Sequence, residues 1–129
     1  MTPSAYAATY RRAALAGAED ASPLQRVRML LRGVLQRIDQ AERWMRAGEL
    51  AQKAQAIASV LPILEALRGS LDFETGGEMA NNLATLYDTA SLWLAEANAR
   101  NDLERLRQAR GLLEPIAQAF AEIPDPDAT

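Results

Sequence analysis

Apolar residues recur along this chain at alternating spacings of three and four over four separate stretches, the pattern of amphipathic helices. In the first, Leu24, Val27, Leu31, Val34, Ile38, Ala41 and Met45 form a sustained stripe, widened by Leu30, Leu35 and Trp44. It opens at Ser22-Pro23-Leu24-Gln25. A serine cap, a proline at the first helical position and a glutamine at the third compose a capping box. Gly48 closes it. The second stretch runs from Glu49 to Leu71 on Leu50, Ala54, Ile57, Leu61, Leu64, Leu67 and Leu71, with Val60 and Ile63 on a flanking row. Pro62 interrupts it at a cost of roughly 3 kcal/mol. The apolar register continues on both sides, which predicts one helix with a kink near residues 58–61.

A turn follows. Thr75 with Glu78 reads as a second capping box, and Gly76-Gly77 permit a close backbone approach. The third helix carries Met79, Leu83, Leu86, Ala90, Trp93 and Ala97, with Ala80, Tyr87 and Leu94 in a parallel row. Asn101 with Glu104 marks a further start. The fourth helix then shows Leu103, Leu106, Leu113, Ala117 and Phe120, plus Leu112, Ile116 and Ile123, with Pro115 inside it. Four amphipathic helices on short connections predict an all-α fold, an antiparallel four-helix bundle with helices of ~30 Å. Residues 4–18 have helix propensity but a thin apolar face, on which Tyr6 and Tyr10 lie four apart with Ala13 and Gly17. They read as a short, loosely docked helical arm. The expected organisation is an arm over 1–20, a bundle over 21–123 and a disordered polar tail over 124–129.

Composition narrows the chemistry. The chain of 129 residues suits one domain with one modest core. It has no apolar run that spans a bilayer, no basic-then-apolar leader and no cysteine, which fits the cytosol. It also has no histidine, so neither Glu-x-x-His metal pairs nor Ser-His and Cys-His nucleophiles exist. No catalytic residue, cofactor or metal site is expected. The acids Asp72, Glu74, Glu78 and Asp88 read as caps or solvated positions rather than a carboxylate cluster. Net charge is −3, distributed as +4 over residues 1–46 (eight Arg, four acids) and −7 over 47–129 (six Lys/Arg, thirteen acids). A basic first helix could be a nucleic-acid footprint. The overall acidity argues against that and for charge complementarity between neighbouring helices.

The second and third helices each show more than one apolar row. A helix touching two neighbours needs that width; an open groove for a partner's amphipathic helix has the same signature. Both readings stand at this level.

The stretch Leu71-Asp72-Phe73-Glu74-Thr75-Gly76-Gly77-Glu78-Met79-Ala80-Asn81-Asn82-Leu83-Ala84-Thr85-Leu86-Tyr87-Asp88 resembles the flagellin-specific export chaperones, the FliS family. Ala21-Ser22-Pro23, Met29-Leu30 before Gly33, Gln40-Ala41, Gly48, Ile63-Leu64, Ala97-Asn98 with Asn101-Asp102, and Leu112-Leu113 follow the family's order. Arg32, Thr89 and Phe120 depart from its usual residues, and Pro62 is unusual. The resemblance implies a cytosolic chaperone, not an enzyme, that binds the disordered C-terminal region of flagellin, prevents premature polymerisation and keeps it competent for type III export. It implies a client groove from Ile63, Leu67, Leu71, Leu83, Leu86, Tyr87 and Leu94, guarded in the free protein by Tyr6 and Tyr10 of the arm. Ser22, Asp72, Gly76, Gly77, Glu78 and Asn101 would be caps and turn residues. The export apparatus or flagellar regulators would be further partners. Nucleic acid and membrane would not, and the chain would be a monomer or weak homodimer. The rival outside this family is a self-associating helical adaptor that binds some other amphipathic segment.

Overall fold

The computed structural model describes residues 6, 8–10 and 22–124. Four helices follow in order: α1 (Pro23–Arg46), α2 (Leu50–Gly69), α3 (Phe73–Arg100) and α4 (Leu103–Glu122). Connections of two or three residues force antiparallel neighbours. Each helix packs on two others, α1 on α2 and α4, and α3 on the same two, so the described residues form a four-helix bundle. No described helix is long and apolar enough to cross a membrane. Most of the arm, including Ala13 and Gly17, and residues 125–129 of the tail lie outside the described residues.

The α1 stripe packs as its spacing predicts, with Val27, Leu31, Val34, Ile38, Ala41 and Met45 all buried. Ser22 caps the helix: its side chain accepts from the Gln25 amide at 3.1 Å while its own amide donates to Gln25 Oε1 at 3.2 Å. On α3 the core row is Ala80, Leu83, Ala84, Tyr87, Ala90, Leu94 and Ala97. The expected parallel row of Ala80, Tyr87 and Leu94 is buried together with Leu83, Ala90 and Ala97 of the main stripe, and Met79, Leu86 and Trp93 sit half-buried on a flank. Four alanines in the buried row let neighbouring helices approach closely. α2 and α4 continue through Pro62 and Pro115 as single helices. Both prolines are exposed, as are Ala58 and Gly111 four residues before them, so the carbonyls that lose a partner face water.

Three expectations are corrected. Thr75 does not cap α3; the Asp72 carboxylate does, accepting from the Glu74 and Thr75 amides at 3.1 and 3.0 Å. Asn101 ends α3 instead of starting α4, in the left-handed conformation (φ 51°, ψ 47°) that asparagine tolerates. Asp102 takes over as cap of α4, accepting from the Arg105 amide at 3.1 Å. The arginines of α1 do not pair with acids of neighbouring helices either. The ion pairs run the other way: α4 supplies Arg110 to Asp39 at 2.7 Å and Arg107 to Glu42 at 3.5 Å. Burial works to raise the Glu42 carboxyl, but Arg46 and Arg107 together hold it below its usual value.

One core position is charged. Lys53 is buried on α2, and its ammonium donates to the Asn98 carbonyl in the last turn of α3 at 3.0 Å. A cation there satisfies an end carbonyl and faces the negative end of the helix dipole. Lys53→Met should cost about 1 kcal/mol, read from the urea midpoint, with faster hydrogen exchange in the last turn of α3.

Candidate functional site

The N-terminal arm meets the bundle where the α2–α3 turn, α3 and the end of α4 come together. Thr9 folds back on the carbonyl of Tyr6 through its amide (3.1 Å) and hydroxyl (2.5 Å), which ends the helical reading of the arm at this point. Tyr10 is extended and forms an isolated antiparallel bridge with Leu71. The Asp72 amide donates to the Thr9 carbonyl at 2.6 Å. Thr9 and Tyr10 are both buried, so this part of the arm is tightly rather than loosely docked.

Glycine makes room for it. A Cβ on Gly76 would lie 3.0 Å from Thr9 Cα and 2.9 Å from Ala80 Cβ, closer than either can give. Gly77 adopts φ 53°, ψ −129°, a conformation open almost only to glycine, and separates the first turn of α3 from its body. Side chains complete the junction. Tyr6 and Tyr10 meet Phe120 edge-on, with ring centroids 5.2 and 5.6 Å apart. The Tyr10 and Tyr87 hydroxyls hydrogen-bond to each other inside the core. Burial raises both phenols above their ordinary value, and the partner phenol raises Tyr10 further.

Tyr87 also forms part of a cleft between α2 and α3. This opening has a volume of about 510 Å³ and is lined by Leu61, Leu64, Glu65, Arg68, Tyr87, Asp88, Ser91 and Leu92. That lies within the ~300–1,000 Å³ range of pockets that enclose small ligands, enough to admit side chains of a docking segment. Arg68 and Asp88 meet in a two-pronged ion pair at 2.7 and 3.1 Å, joining one wall to the other. Leu92 is 58 % exposed. Beside the cleft, the outward face of α2 shows Ala51, Gln55, Ala58, Ser59, Pro62 and Ala66, with no exposed charge from Leu50 to Leu64. A surface helix ordinarily turns a charged face to water; over its first fifteen residues α2 does not.

The seven residues expected to line a groove do not come together as one. Leu67, Leu71, Leu83, Tyr87 and Leu94 are buried in the core. Ile63 and Leu86 are half-buried. Ile63 is two residues from Leu61 and so points to the opposite flank of α2. Leu86 shares the flank of Met79 and Trp93, beneath Arg105 of α4, whose guanidinium lies 5.1 Å above the Trp93 ring. Only Tyr87 lines the cleft, while Leu71 and Tyr87 both contact the arm. Sequence reasoning missed the other seven lining residues, among them the three leucines Leu61, Leu64 and Leu92. Leu92 carried a signal, an apolar residue off both stripes of its helix. Leu61 and Leu64 carried none, since they belong to the ordinary core stripe.

A family model described as "Flagellar protein FliS" matches residues 3–127. The chain is 36% identical over 104 residues to the flagellar secretion chaperone FliS of Salmonella typhimurium (strain LT2), covering 80% of this chain and 77% of that one. It is 34% identical over 104 residues to the flagellar secretion chaperone FliS of Vibrio cholerae, covering 81% and 76%. It is 37% identical over 101 residues to the flagellar secretion chaperone FliSB of Pseudomonas aeruginosa, covering 78% and 80%.

Removing one partner of the buried hydroxyl pair leaves the other unsatisfied. Tyr10→Phe or Tyr87→Phe should each lower unfolding free energy by about 1–3 kcal/mol, and the double variant by less than their sum. The pair also sets an alkaline limit. A raised folded-state pKa means its contribution is complete below about pH 10 and declines as pH rises beyond, because the unfolded chain then releases protons that the folded one keeps. Urea midpoints measured from pH 8 to 12 (about the span of phenol titration) should show that decline, flattened in the double Phe variant.

Proposed function

The chain belongs to the FliS family of flagellar proteins, and from that premise we propose that it is a flagellar secretion chaperone holding the disordered C-terminal region of flagellin in the cytosol. It keeps the client from polymerising prematurely and passes it on in a form the type III export apparatus accepts. One observation carries this reading: the α2–α3 cleft, with Leu61, Leu64 and Leu92 in its lining, opens beside a stretch of α2 that displays no charge from Leu50 to Leu64. A client segment with amphipathic patches gains order only by burying them, and this surface offers apolar area that the bundle itself leaves uncovered. Ordering the client costs ~2–5 kcal/mol or more, so net affinity is moderate over a broad interface. A carrier that must release its cargo needs that.

The arm fits as a guard. Tyr10 bridges Leu71 and bonds Tyr87, a residue of the cleft lining. When the arm leaves, Leu71, Tyr87 and Phe120 become available to the client, while Leu67, Leu83 and Leu94 remain bundle core. Departure strands the Tyr87 hydroxyl at a cost of about 1–3 kcal/mol, so release of the arm is coupled to arrival of something that replaces it.

Co-purification with flagellin, full length against a form lacking its C-terminal region, tests the reading. Binding should vanish with that region; binding indifferent to its loss overturns the mechanism. Leu92→Glu should leave the fold intact and weaken flagellin binding by about tenfold or more, measured by titration calorimetry. Deleting residues 1–17 should increase fluorescence of an apolar dye, and an unchanged signal removes the guard.

A further inference from the structure

α1 turns to solvent a face whose one carboxylate, at its border, is already paired to α4. On the helical wheel Met29, Gln36 and Gln40 run down its middle, Arg32 and Arg43 along one edge, and Arg26, Arg37 and Trp44 along the other. Met29 is 62 % exposed and Trp44 41 %. Of the two acids of α1, Asp39 borders the Arg32–Arg43 edge and is held by Arg110 of α4, while Glu42 is rotated further round and held by Arg107 of α4 and by Arg46. Among the described residues no ion pair involves Arg26, Arg32, Arg37 or Arg43. Arg37 reaches only the Gly33 carbonyl at 3.3 Å. One turn before Arg32, Arg28 donates its Nε to the Phe120 carbonyl at 2.7 Å, while its Nη2 is buried without an acceptor.

The helix gains nothing by this arrangement. Guanidiniums stay charged at any physiological pH, and like charges four apart, as at Arg28 and Arg32, disfavour a helix by ~0.2–0.5 kcal/mol. In a chain of net charge −3, the ordinary surface solution would intersperse acids. Cations left unpaired along both edges of an uncharged, partly apolar strip instead match an incoming helix with apolar residues on its contact line and carboxylates on each side.

We propose that this face of α1 docks an acidic amphipathic helix of a partner protein. From Arg26 to Arg43 the strip is ~26 Å long at the helical rise, so it receives a partner helix of about five turns. Met29 and Trp44 supply the apolar contacts near its two ends, and carboxylates of the partner pair with Arg32 and Arg43 on one edge and Arg26 and Arg37 on the other. Because the strip lies on α1 and the cleft between α2 and α3, the chaperone can hold client and second partner together. A nucleic acid fits the strip less well, since its contact line presents methionine and glutamine in place of stacking rings and the chain as a whole is acidic.

Two labelled helical peptides of about 20 residues test this, with the same Leu/Ala contact line and either Glu or Lys on both flanks. Fluorescence anisotropy is measured against the full chain, free and in its flagellin complex, together with an RNA oligonucleotide. The Glu peptide should bind at least ~10-fold tighter than the Lys peptide, weaken with salt, shift Trp44 emission and bind equally with flagellin present. Arg32→Glu/Arg43→Glu, and the milder Arg32→Gln/Arg43→Gln, should each lower its affinity with helical content and flagellin binding unchanged. Equal binding of both peptides, Glu-peptide binding untouched by the arginine variants, or stronger binding of RNA overturns the proposal. Sedimentation showing a dimer that the arginine variants dissociate assigns the strip to a second copy and overturns it too. Flagellin binding is scored separately, so failure here is distinguishable from failure of the chaperone reading.

Discussion

The hydroxyl pair of Tyr10 and Tyr87 is the interaction on which the free form of this protein turns. It joins the arm to α3 at a site closed by Phe120 of α4 and Leu71 beyond α2, so one contact ties the chain's beginning to three parts of the bundle. Inside the core each phenol's only route to satisfaction is the other, which makes the contact all-or-none. Gly76 and Gly77 exist in its service. One leaves space for Thr9, and the other bends the first turn of α3 so that the Asp72 amide can reach the arm. Tyr87 also belongs to the lining of the α2–α3 cleft, so the arm's contact and the cleft share a residue.

Charge is partitioned among the helices in a way that composition conceals. From Leu50 to Leu64 α2 offers solvent no charge, because its one lysine is turned inward to the end of α3. The unpaired charge on α1 is of one sign, because its acids are engaged by arginines of α4. Exposed ion pairs of that kind stabilise a bundle by no more than ~1 kcal/mol each. Their larger consequence is to decide which faces remain unneutralised. Two helices consequently present unusual surfaces, one by its uncharged stretch and one by its unpaired cations.

The bundle was legible because it rests on repetition. The α1 stripe from Val27 to Met45 is set by helical period and is buried as read. The box at Ser22 and Gln25 depends on residues three apart and needs no distant partner. Local signals failed where two neighbours compete for one task. Asn101 and Asp102 both suit a helix boundary, and only the geometry of the chain reversal gives the left-handed position to one and the cap to the other. Asp72 displaced Thr75 because the helix begins before the glycines rather than after them. Lys53 was invisible as a core residue, since its burial requires a carbonyl contributed 45 positions later.

Sequence by itself determined the number and order of the helices, their caps in outline, the exclusion of histidine and cysteine chemistry, and the kinship of the chain. These follow from periodicity and residue type, properties carried within a few turns. Tertiary structure alone decided which apolar rows meet in the core and which remain at the surface. A helix broad enough for two neighbours and a helix with one neighbour and one open side have the same pattern. Leu67 and Leu94 went inward and Leu92 outward because the rotation of α2 and α3 about their axes is set by all four helices packing at once, a constraint no single segment contains.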